Sequence, residues 1–266
     1  MILPAYDGYI FDLDGTIYLG DTLLPAARQI IPALRASGRR VAFLSNNPTH
    51  TRYHYAAKLT RLGIVTAPDE IVNSSYVLVQ WLRAEAPQAC LYVIGETSLI
   101  DELTTAGFQL SETPGEITFV VASFDRTFSY YKLQVAFDAI CAGAKLIATN
   151  ADRYCPVPGG GQPDAAAVIA AIEACTGTTC VQVMGKPSPI MARAAGELLG
   201  VPPDRCLIIG DRLETDILMG LQSGMATALV LTGATRRVDL VAPACQPHYV
   251  LEGLHEVFPM TCVPDH

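Results

Sequence analysis

The sequence predicts an α/β protein in which a parallel sheet is built from both ends of the chain around an inserted second domain. Short apolar runs alternate with helix-like segments near each end of the chain. The segment between these ends has its own strands and helices, followed by an irregular polar stretch. Such alternation is typical of parallel sheets that helices cover on both faces. We therefore expect one domain from residues 1–78 and 181–266, and a second over residues 79–180.

Local signals place the elements of the first predicted domain. Proline suits the first position of a helix and glycine its end, so Pro48 and Gly63 delimit one predicted helix, with Asn47 as its cap. The predicted strands occupy residues 9–11, 40–44, 181–184, 206–209 and 226–231. The predicted helices occupy residues 24–37, 48–62, 189–199 and 215–223.

The middle of the chain predicts a smaller α/β domain of its own. Apolar runs at residues 91–95, 117–122 and 145–149 predict strands, and residues 129–142 predict a helix. Residues 150–163 are polar, include three consecutive glycines and predict an irregular loop.

Composition and charge exclude several classes of protein. Lys and Arg number 18 against 26 Asp and Glu, for a net charge of −8, so no uniform basic surface for nucleic acid is expected. No apolar run approaches the roughly 18 residues that span a bilayer, and the first residues lack a signal-peptide pattern. The eight cysteines form no CxxC pair. We expect reduced thiols in a cytoplasmic protein that binds no membrane.

Polar side chains follow four of the predicted strands, at the sheet edge where open parallel sheets bind ligands. A single such residue is usually a turn former or a helix cap, but four groups together indicate a site. The groups are Asp12 with Asp14, then Ser45 with Asn46 and Asn47, then Lys186, and last Asp211 with Asp216.

These residue types predict phosphate chemistry with a hard metal ion. Asp12, Asp14 and Asp211 would repel one another, by roughly 4 kcal/mol for a pair about 4 Å apart at an effective dielectric constant of 20. A divalent cation relieves that repulsion, and Mg²⁺ needs only one or two carboxylates besides water and a substrate phosphate. Hydrogen-bond donors beside the metal suit a phosphoryl group. The donors are Ser45, the Asn46 amide and Lys186.

The four groups resemble the signature motifs of the haloacid dehalogenase (HAD) superfamily. The DLDGT segment at residues 12–16 resembles its DxDGT motif. The segments at residues 45–48, 185–189 and 210–216 resemble the second, third and fourth motifs. Their SNNP, GKPSP and GDRLxTD wording, with a long insert after the second motif, is similar to the NagD-like (class IIA) phosphatases. The resemblance covers residues 7–258 and implies a Rossmann-like parallel-sheet core with an inserted α/β cap domain.

The resemblance implies a role for each motif residue. Asp12 would attack phosphorus to form an aspartyl-phosphate, and Asp14 would serve as general acid and then as general base. Mg²⁺ would be bound by Asp12, the Asp14 backbone carbonyl and Asp211. Asp216 would support these ligands without binding the metal itself. The phosphoryl oxygens would contact Ser45, Asn46 and Lys186, while Asn47 would either support them or cap its helix.

The resemblance also implies that the cap closes over the site and selects the leaving group. A polar loop in the predicted cap resembles the family's TNxD loop, where Asn150 and Asp152 are expected mainly to build a turn. Arg153 and Tyr154 are the candidates for contact with substrate. Arginine has a charged, planar guanidinium group, and tyrosine has a planar aromatic ring. The pyridoxal phosphatase branch has a histidine where this chain has Cys155, which argues against pyridoxal phosphate as the substrate.

Three functions stay open on the sequence alone. The first is a Mg²⁺-dependent phosphatase acting on a small phosphorylated metabolite, and the second is a phosphotransferase or mutase of the same superfamily. The third is a catalytically silent binding protein, although such a protein has no physical need to keep carboxylates that repel one another. A homodimer is possible by analogy with related caps.

Overall fold

The computed structural model describes residues 3–157, 160–241, 243 and 245–257. Its described residues divide into two compact units. The first unit comprises the described residues of Met1–Ser45, Arg52–Val72 and Lys186–His266. The second comprises those of Asn46–Thr51 and Asn73–Gly185.

Strands and helices alternate along both units. In chain order the strands are β1 (Gly8–Asp12), β2 (Tyr18–Leu19), β3 (Thr22–Leu23), β4 (Arg40–Ser45), β5 (Ile71–Asn73), β6 (Cys90–Ile94), β7 (Gln109–Leu110), β8 (Phe119–Ala122), β9 (Lys145–Ala148), β10 (Tyr154–Val157), β11 (Gly160–Pro163), β12 (Gln182–Val183), β13 (Cys206–Gly210), β14 (Ala226–Val230) and β15 (Tyr249–Leu251). The α-helices are α1 (Ala27–Ala36), α2 (Arg52–Arg61), α3 (Ser74–Glu85), α4 (Thr97–Thr105), α5 (Tyr130–Cys141), α6 (Ala165–Thr176), α7 (Pro189–Leu199) and α8 (Leu218–Gln222).

The first unit is organised around a sheet with strand order β15-β14-β13-β1-β4-β5 among the described residues. The central strand β1 runs parallel to both neighbours, so that Phe11 lies opposite Ile209 of β13 and Phe43 of β4. Both β1 and β13 are buried over their whole length, as expected when helices cover the two faces of a parallel sheet. The carboxyl ends of β1, β4 and β13 therefore lie side by side at one edge.

Helix α1 shows how this unit closes its core. Its buried residues Ile30, Ile31 and Leu34 recur at helical spacing and join the apolar cluster that includes Phe11 and Phe43. Burial of such a stripe drives the helix onto the sheet, because each large apolar side chain gains roughly 1.5–3 kcal/mol on leaving water.

The second unit has a parallel sheet of its own, with strand order β12-β9-β8-β6-β7. Three of its helices, α3, α5 and α6, begin at residues whose side chains accept a backbone hydrogen bond, as strong N-caps do. Asn73 accepts from Tyr76 N at 3.1 Å at the start of α3, and Asp164 accepts from Ala165 N at 2.6 Å at the start of α6. The predicted parallel-sheet α/β fold is thus confirmed.

Several predicted element boundaries were wrong, and each has a local cause. The helix predicted from Pro48 begins only at Arg52. Asn47 Oδ1 accepts hydrogen bonds from the backbone N–H and the hydroxyl of Thr49, at 2.9 and 2.6 Å, and so closes a turn ahead of the helix. The helix predicted over residues 24–37 begins at Ala27, because Ala26 adopts a left-handed conformation with φ of 66°.

Two other segments also differ from their predictions. The loop predicted at residues 150–163 contains an antiparallel hairpin, in which β10 pairs with β11. Its proline and glycine content concealed the strand signal. The helix predicted at residues 215–223 starts with a π-helical turn, Leu213–Ile217, before α8. In the described part of the chain, no helix is long and apolar enough to cross a membrane.

Close packing of α8 on the sheet predicts the effect of one substitution. A Cβ added at Gly220 would lie 2.5 Å from Cγ2 of Thr227 and closer still to Cγ2 of Ile208. Gly220→Ala should therefore lower the free energy of unfolding by about 1–3 kcal/mol in urea titrations. Gly196→Ala is the matched control, since a Cβ there meets nothing within 4 Å, and helix propensity should leave stability unchanged or raise it by up to ~1 kcal/mol. Equal stability of Gly220→Ala and wild type would contradict this packing.

Candidate active site

Three of the four predicted motifs have a residue at the carboxyl end of a strand in the first unit's sheet, and Lys186 of the remaining motif bonds to Asp12. Asp12 is the last residue of β1, and Asp211 directly follows β13. Ser45 is the last residue of β4, the strand beside β1. Lys186 precedes α7, whose start is fixed by the Ser188 side chain accepting a hydrogen bond from Ile190 N at 3.3 Å.

A buried acidic cluster lies at this edge. Carboxylate oxygens of Asp12, Asp211 and Asp216 all lie within 4.8 Å of one another. Lys186 is 4% exposed, and its ammonium group donates hydrogen bonds to Asp12 Oδ1 and to Asp216 Oδ1, the latter at 2.6 Å. Because Lys186 and the third motif are far from Asp12 in the chain, this ion-pair network depends on the fold of the whole unit.

Burial and mutual repulsion set the protonation of this cluster. Burial raises the pKa of Asp12 well above its ordinary value; the charge of Lys186 opposes this, and Asp216 and Asp211 reinforce it. Burial, with help from the charge of Asp216, raises the pKa of Asp211 to about 6. Burial alone would lower the pKa of Lys186, but the carboxylates of Asp12 and Asp216 outweigh burial and raise it. Lys186 therefore keeps its positive charge.

The cluster fits a hard divalent cation. Asp211 Oδ2 accepts a hydrogen bond from Ala234 N at 2.5 Å, whereas Asp211 Oδ1 is buried and has no hydrogen-bond partner among the described residues. A buried carboxylate oxygen without a partner is costly unless a cation binds it. Asp216, by contrast, uses both oxygens, accepting from Lys186 and, at 3.2 Å, from Arg212 N. Asp211 therefore has a carboxylate oxygen available to a cation, whereas both oxygens of Asp216 accept hydrogen bonds from the protein.

Two glycines allow the backbone to close around Asp211. Gly15 has φ of +88°, and a Cβ there would lie 2.5 Å from Asp211 Oδ2. A Cβ at Gly233 would overlap the same carboxylate. The segment after β14 is tied to the first motif, since Thr232 Oγ1 donates to Gly15 O at 2.6 Å. Glycine is therefore required at residue 15 both for its backbone conformation and for space.

Asp14 lies two residues after the end of β1 and has different surroundings from Asp12. The Asp14 side chain is exposed, but nearby protein desolvates its carboxyl and raises its pKa, against the charges of Lys58, Lys186 and Arg212. A raised pKa suits a carboxylic acid that must donate a proton near neutral pH.

Ser45 is held by a residue that the sequence analysis did not identify. Its hydroxyl donates to the hydroxyl of Tyr55 at 3.2 Å, and both side chains are buried. Tyr55 lies on α2 outside any motif, among ordinary apolar helix positions, so no signal in the sequence marks it.

The predicted residues Asn46 and Asn47 belong to the second unit. Asn46 Nδ2 donates to the two carboxylate oxygens of Asp152, at 3.2 and 3.1 Å. Asn47 Nδ2 approaches Cys155 Sγ at 3.9 Å, while its Oδ1 closes the turn at Thr49. Asn47 thus acts as a turn former rather than as the cap of a helix at Pro48.

The predicted cap contacts differ in exposure from the residues beside them. Arg153 and Tyr154 are exposed. Asn150, in the same loop, is fully buried, and its Nδ2 donates to Asp164 Oδ1 at 3.1 Å and Asp152 Oδ2 at 3.3 Å. Asn150 and Asp152 therefore build the loop, as expected, and Asp152 in addition contacts Asn46.

Comparison with known proteins places this site in a family. A family model described as haloacid dehalogenase-like hydrolase matches residues 9–109, and a HAD-hydrolase-like model matches residues 183–257. The sugar-phosphatase AraL of Bacillus subtilis is 40% identical over 256 residues, which cover 96% of this chain and 93% of that protein.

Solved structures agree with the sequence matches. The 4-nitrophenylphosphatase of Thermotoga maritima superposes with a TM-score of 0.90 at 33% identity, covering 95% of this chain and 96% of that one. NagD of Escherichia coli K-12 gives a TM-score of 0.86 at 28% identity, covering 94% of this chain and 97% of that one. The chain belongs to the HAD superfamily of hydrolases. Within it, the chain is a phosphoric monoester hydrolase of the NagD-like, class IIA type.

The charge of the acidic cluster predicts how magnesium affects stability. Since the folded pKa of Asp211 is about 6 against an ordinary 3.8, its stabilising contribution is present at low pH and is lost as pH rises through about 6. Above that pH the ionised cluster should gain from a cation, so excess MgCl₂ should raise the Tm more at about pH 8 than at about pH 5. Differential scanning fluorimetry measures both shifts.

The matched variants for this test are Asp211→Asn and Asp138→Asn. Asp211→Asn keeps the side-chain shape and removes the ligand charge, so the magnesium-dependent shift in Tm should disappear. Asp138 is an exposed acid on α5 of the second unit, and its replacement should leave the shift intact. A full shift in Asp211→Asn would show that the cation binds elsewhere.

Proposed function

We propose that this enzyme hydrolyses phosphate monoesters of small sugars, using Asp12 as nucleophile and Mg²⁺ as cofactor. The observation that carries the proposal is the buried cluster of Asp12, Asp211 and Asp216 around the charged Lys186. In the described part of the chain, one oxygen of Asp211 has no hydrogen-bond partner. The sugar class of the substrate rests on the Bacillus subtilis relative, whose name describes a sugar phosphatase.

In the first displacement, a carboxylate oxygen of Asp12 attacks phosphorus and the bond from phosphorus to the sugar oxygen breaks. Asp14 gives its proton to that oxygen, so the sugar leaves as a neutral alcohol and Asp12 carries the phosphoryl group. The raised pKa of Asp14 supports this role, because the carboxyl must still hold a proton when substrate binds.

In the second displacement, water attacks the aspartyl-phosphate and Asp14, now ionised, takes the water proton. The bond from phosphorus to the Asp12 oxygen breaks, which releases inorganic phosphate and restores the Asp12 carboxylate. When bound, Mg²⁺ neutralises negative charge between the Asp12 carboxylate and the phosphoryl oxygens. Asp12, Asp211 and the Asp14 carbonyl are the ligands we propose.

The remaining motif residues hold the phosphoryl oxygens in this scheme. Lys186 supplies a permanent positive charge beside Asp12, and Ser45 supplies a hydroxyl donor at the end of β4. Asn46 and Asn47 complete the second motif. We further propose that the second unit acts as the cap and that Arg153 and Tyr154 contact the sugar, a role that their exposure supports.

We also propose a cytoplasmic location, a compartment in which thiols stay reduced. No disulfide joins the cysteines of the described residues.

Removal of the nucleophile tests the reaction directly. Asp12→Asn keeps the size of the side chain but removes the attacking oxyanion, so kcat with p-nitrophenyl phosphate should fall at least ~10³-fold. Circular dichroism and Tm should show that the variant still folds. Asp21→Asn, which replaces an exposed acid of the same unit, is the control and should keep full activity. Substantial turnover by Asp12→Asn would rule out the aspartyl-phosphate route.

A phosphate-release assay over a panel of monoesters tests the substrate class. The panel includes hexose and pentose phosphates, glycerol phosphate, phosphoglycolate, nucleoside monophosphates and p-nitrophenyl phosphate. We expect sugar phosphates to give the highest kcat/KM, EDTA to abolish turnover and Mg²⁺ to restore it. Highest activity on another class would overturn the sugar assignment. Loss of substrate with no release of inorganic phosphate would indicate a phosphotransferase instead.

A further inference from the structure

The carboxylate of Asp152, in the loop before β10, accepts hydrogen bonds from Asn46 of the second motif. The Asn46 side chain donates to both oxygens of Asp152, a residue 106 positions further along the chain, at 3.2 and 3.1 Å. Both residues lie in the second unit. Asp152 would not need this contact if it only formed a turn, because other hydrogen bonds already stabilise that turn.

Asn46 is held from two further directions. Ser74 Oγ, which is fully buried, donates to the backbone carbonyl of Asn46 at 2.7 Å. On another side lies Gly185, where a Cβ would stand 2.6 Å from Asn46 Oδ1 and 2.9 Å from the carbonyl of Thr149. Gly185 itself is fixed, since its N–H donates to that same carbonyl at 2.7 Å. Backbone and side chain of Asn46 are therefore both constrained.

Asp152 is in turn fixed by its own neighbours. Asn150 Nδ2 donates to Asp152 Oδ2 at 3.3 Å and to Asp164 Oδ1 at 3.1 Å, and Asp164 caps α6. The backbone carbonyl of Asp152 accepts from Ala166 N at 3.1 Å. Asp152 is thus bonded to the first turn of α6 through its backbone carbonyl, and its carboxylate is bonded to Asn150, which also bonds the cap of that helix.

The chemistry of the contact selects one orientation of the Asn46 amide. The oxygens of Asp152 accept hydrogen bonds from the NH₂ group of Asn46, so the carbonyl oxygen of the same amide faces Gly185. Asp152 receives donors from two amides, those of Asn46 and Asn150. Asp152→Asn would replace one acceptor oxygen by an NH₂ group. That NH₂ group would face a hydrogen-bond donor and could not accept from it.

We propose that Asp152 is a positioning residue for phosphoryl transfer, acting through Asn46. It fixes the conformation of the residue that directly follows Ser45 in the second motif. This inference rests on the proposed function, because that function assigns Asn46 to the phosphoryl oxygens. Asp152 itself touches no reacting atom in this scheme; Arg153 and Tyr154 remain the loop's candidates for contact with the sugar.

Kinetics of a double-mutant cycle separate this role from a general loosening of the loop. Asp152→Asn preserves the side-chain shape and should lower kcat/KM for p-nitrophenyl phosphate by about 10- to 100-fold. In the Asn46→Ala background the same substitution should change kcat/KM by less than about twofold, because the effect passes through Asn46. Asp138→Asn removes a charge elsewhere in the second unit and should leave wild-type kinetics.

Two kinetic results would overturn the proposal. One is an Asp152→Asn enzyme with wild-type kcat/KM, and the other is an undiminished effect of Asp152→Asn when Asn46 is already alanine. The second result would mean that Asp152 acts through the loop and its exposed residues. Matching Tm values for all four members of the cycle exclude partial unfolding as the cause.

A measurement that needs no activity tests the contact itself. In a ¹⁵N-labelled protein, the Asn46 side-chain amide is the NH₂ signal that disappears in Asn46→Ala. We expect that signal to be protected from solvent exchange in wild type and to lose protection in Asp152→Asn, but not in Asp138→Asn. An unchanged signal in Asp152→Asn would overturn the proposal. Wild-type protein that releases no phosphate would refute the proposed function, and the amide signal would still decide whether Asp152 holds Asn46.

Discussion

The pairing of buried carboxylates with Lys186 is the interaction on which the candidate site depends. Three carboxylates, those of Asp12, Asp211 and Asp216, have oxygens within 4.8 Å of one another in a buried part of the first unit. One ammonium group cannot neutralise three ionised carboxylates, so the cluster carries excess negative charge unless it takes up protons or a cation. The raised pKa of Asp211, about 6, expresses the same imbalance. In the proposed scheme a divalent cation would remove this imbalance, so metal binding would be coupled to folding.

The parallel sheet is what makes so costly a cluster possible. The strands β1 and β13 are buried throughout and lie next to each other, so the residues at their ends have little freedom to move apart. Rigid neighbours on a sheet supply the preorganisation that phosphoryl transfer requires, since catalysis there comes mainly from positioning and electrostatics. The glycines at residues 15 and 233 let two loops close on Asp211 from outside the sheet.

Each compact unit secures its own share of the motifs with residues outside them. In the first unit Tyr55 holds Ser45. In the second, Asp152 holds Asn46, the very next residue in the chain. Likewise Gly185 packs on Asn46 in the second unit, while Lys186 binds Asp12 in the first. The borders between the units thus fall inside the second and third motifs, between consecutive residues.

The sequence by itself determined the fold class and the acidic site, because both follow from local patterns. Alternating apolar runs predicted β1, β13 and α7, the last with its observed ends, and the strand-end rule pointed to Asp12 and Asp211. The rule was wrong for Lys186, because the strand predicted at residues 181–184 is β12, which pairs with β9 in the sheet of the second unit; only the motif identified Lys186. Such signals depend on neighbours a few residues apart, which is the range over which periodicity and capping act. Boundaries shifted where a side chain competed with the helix, as Asn47 does through its bonds to Thr49.

Only the tertiary structure decided which side chains hold the motif residues. The contact between Asn46 and Asp152 joins residues 106 positions apart, and that between Lys186 and Asp12 joins residues 174 apart. No local propensity carries information over such distances, since these pairs meet only after the strands and helices have packed. For the same reason the spacing of Asp216 placed it near Asp211, but it did not predict the hydrogen bonds from Lys186 and Arg212 N to its carboxylate. Local chemistry specifies the elements and the reactive groups, and packing alone specifies their partners.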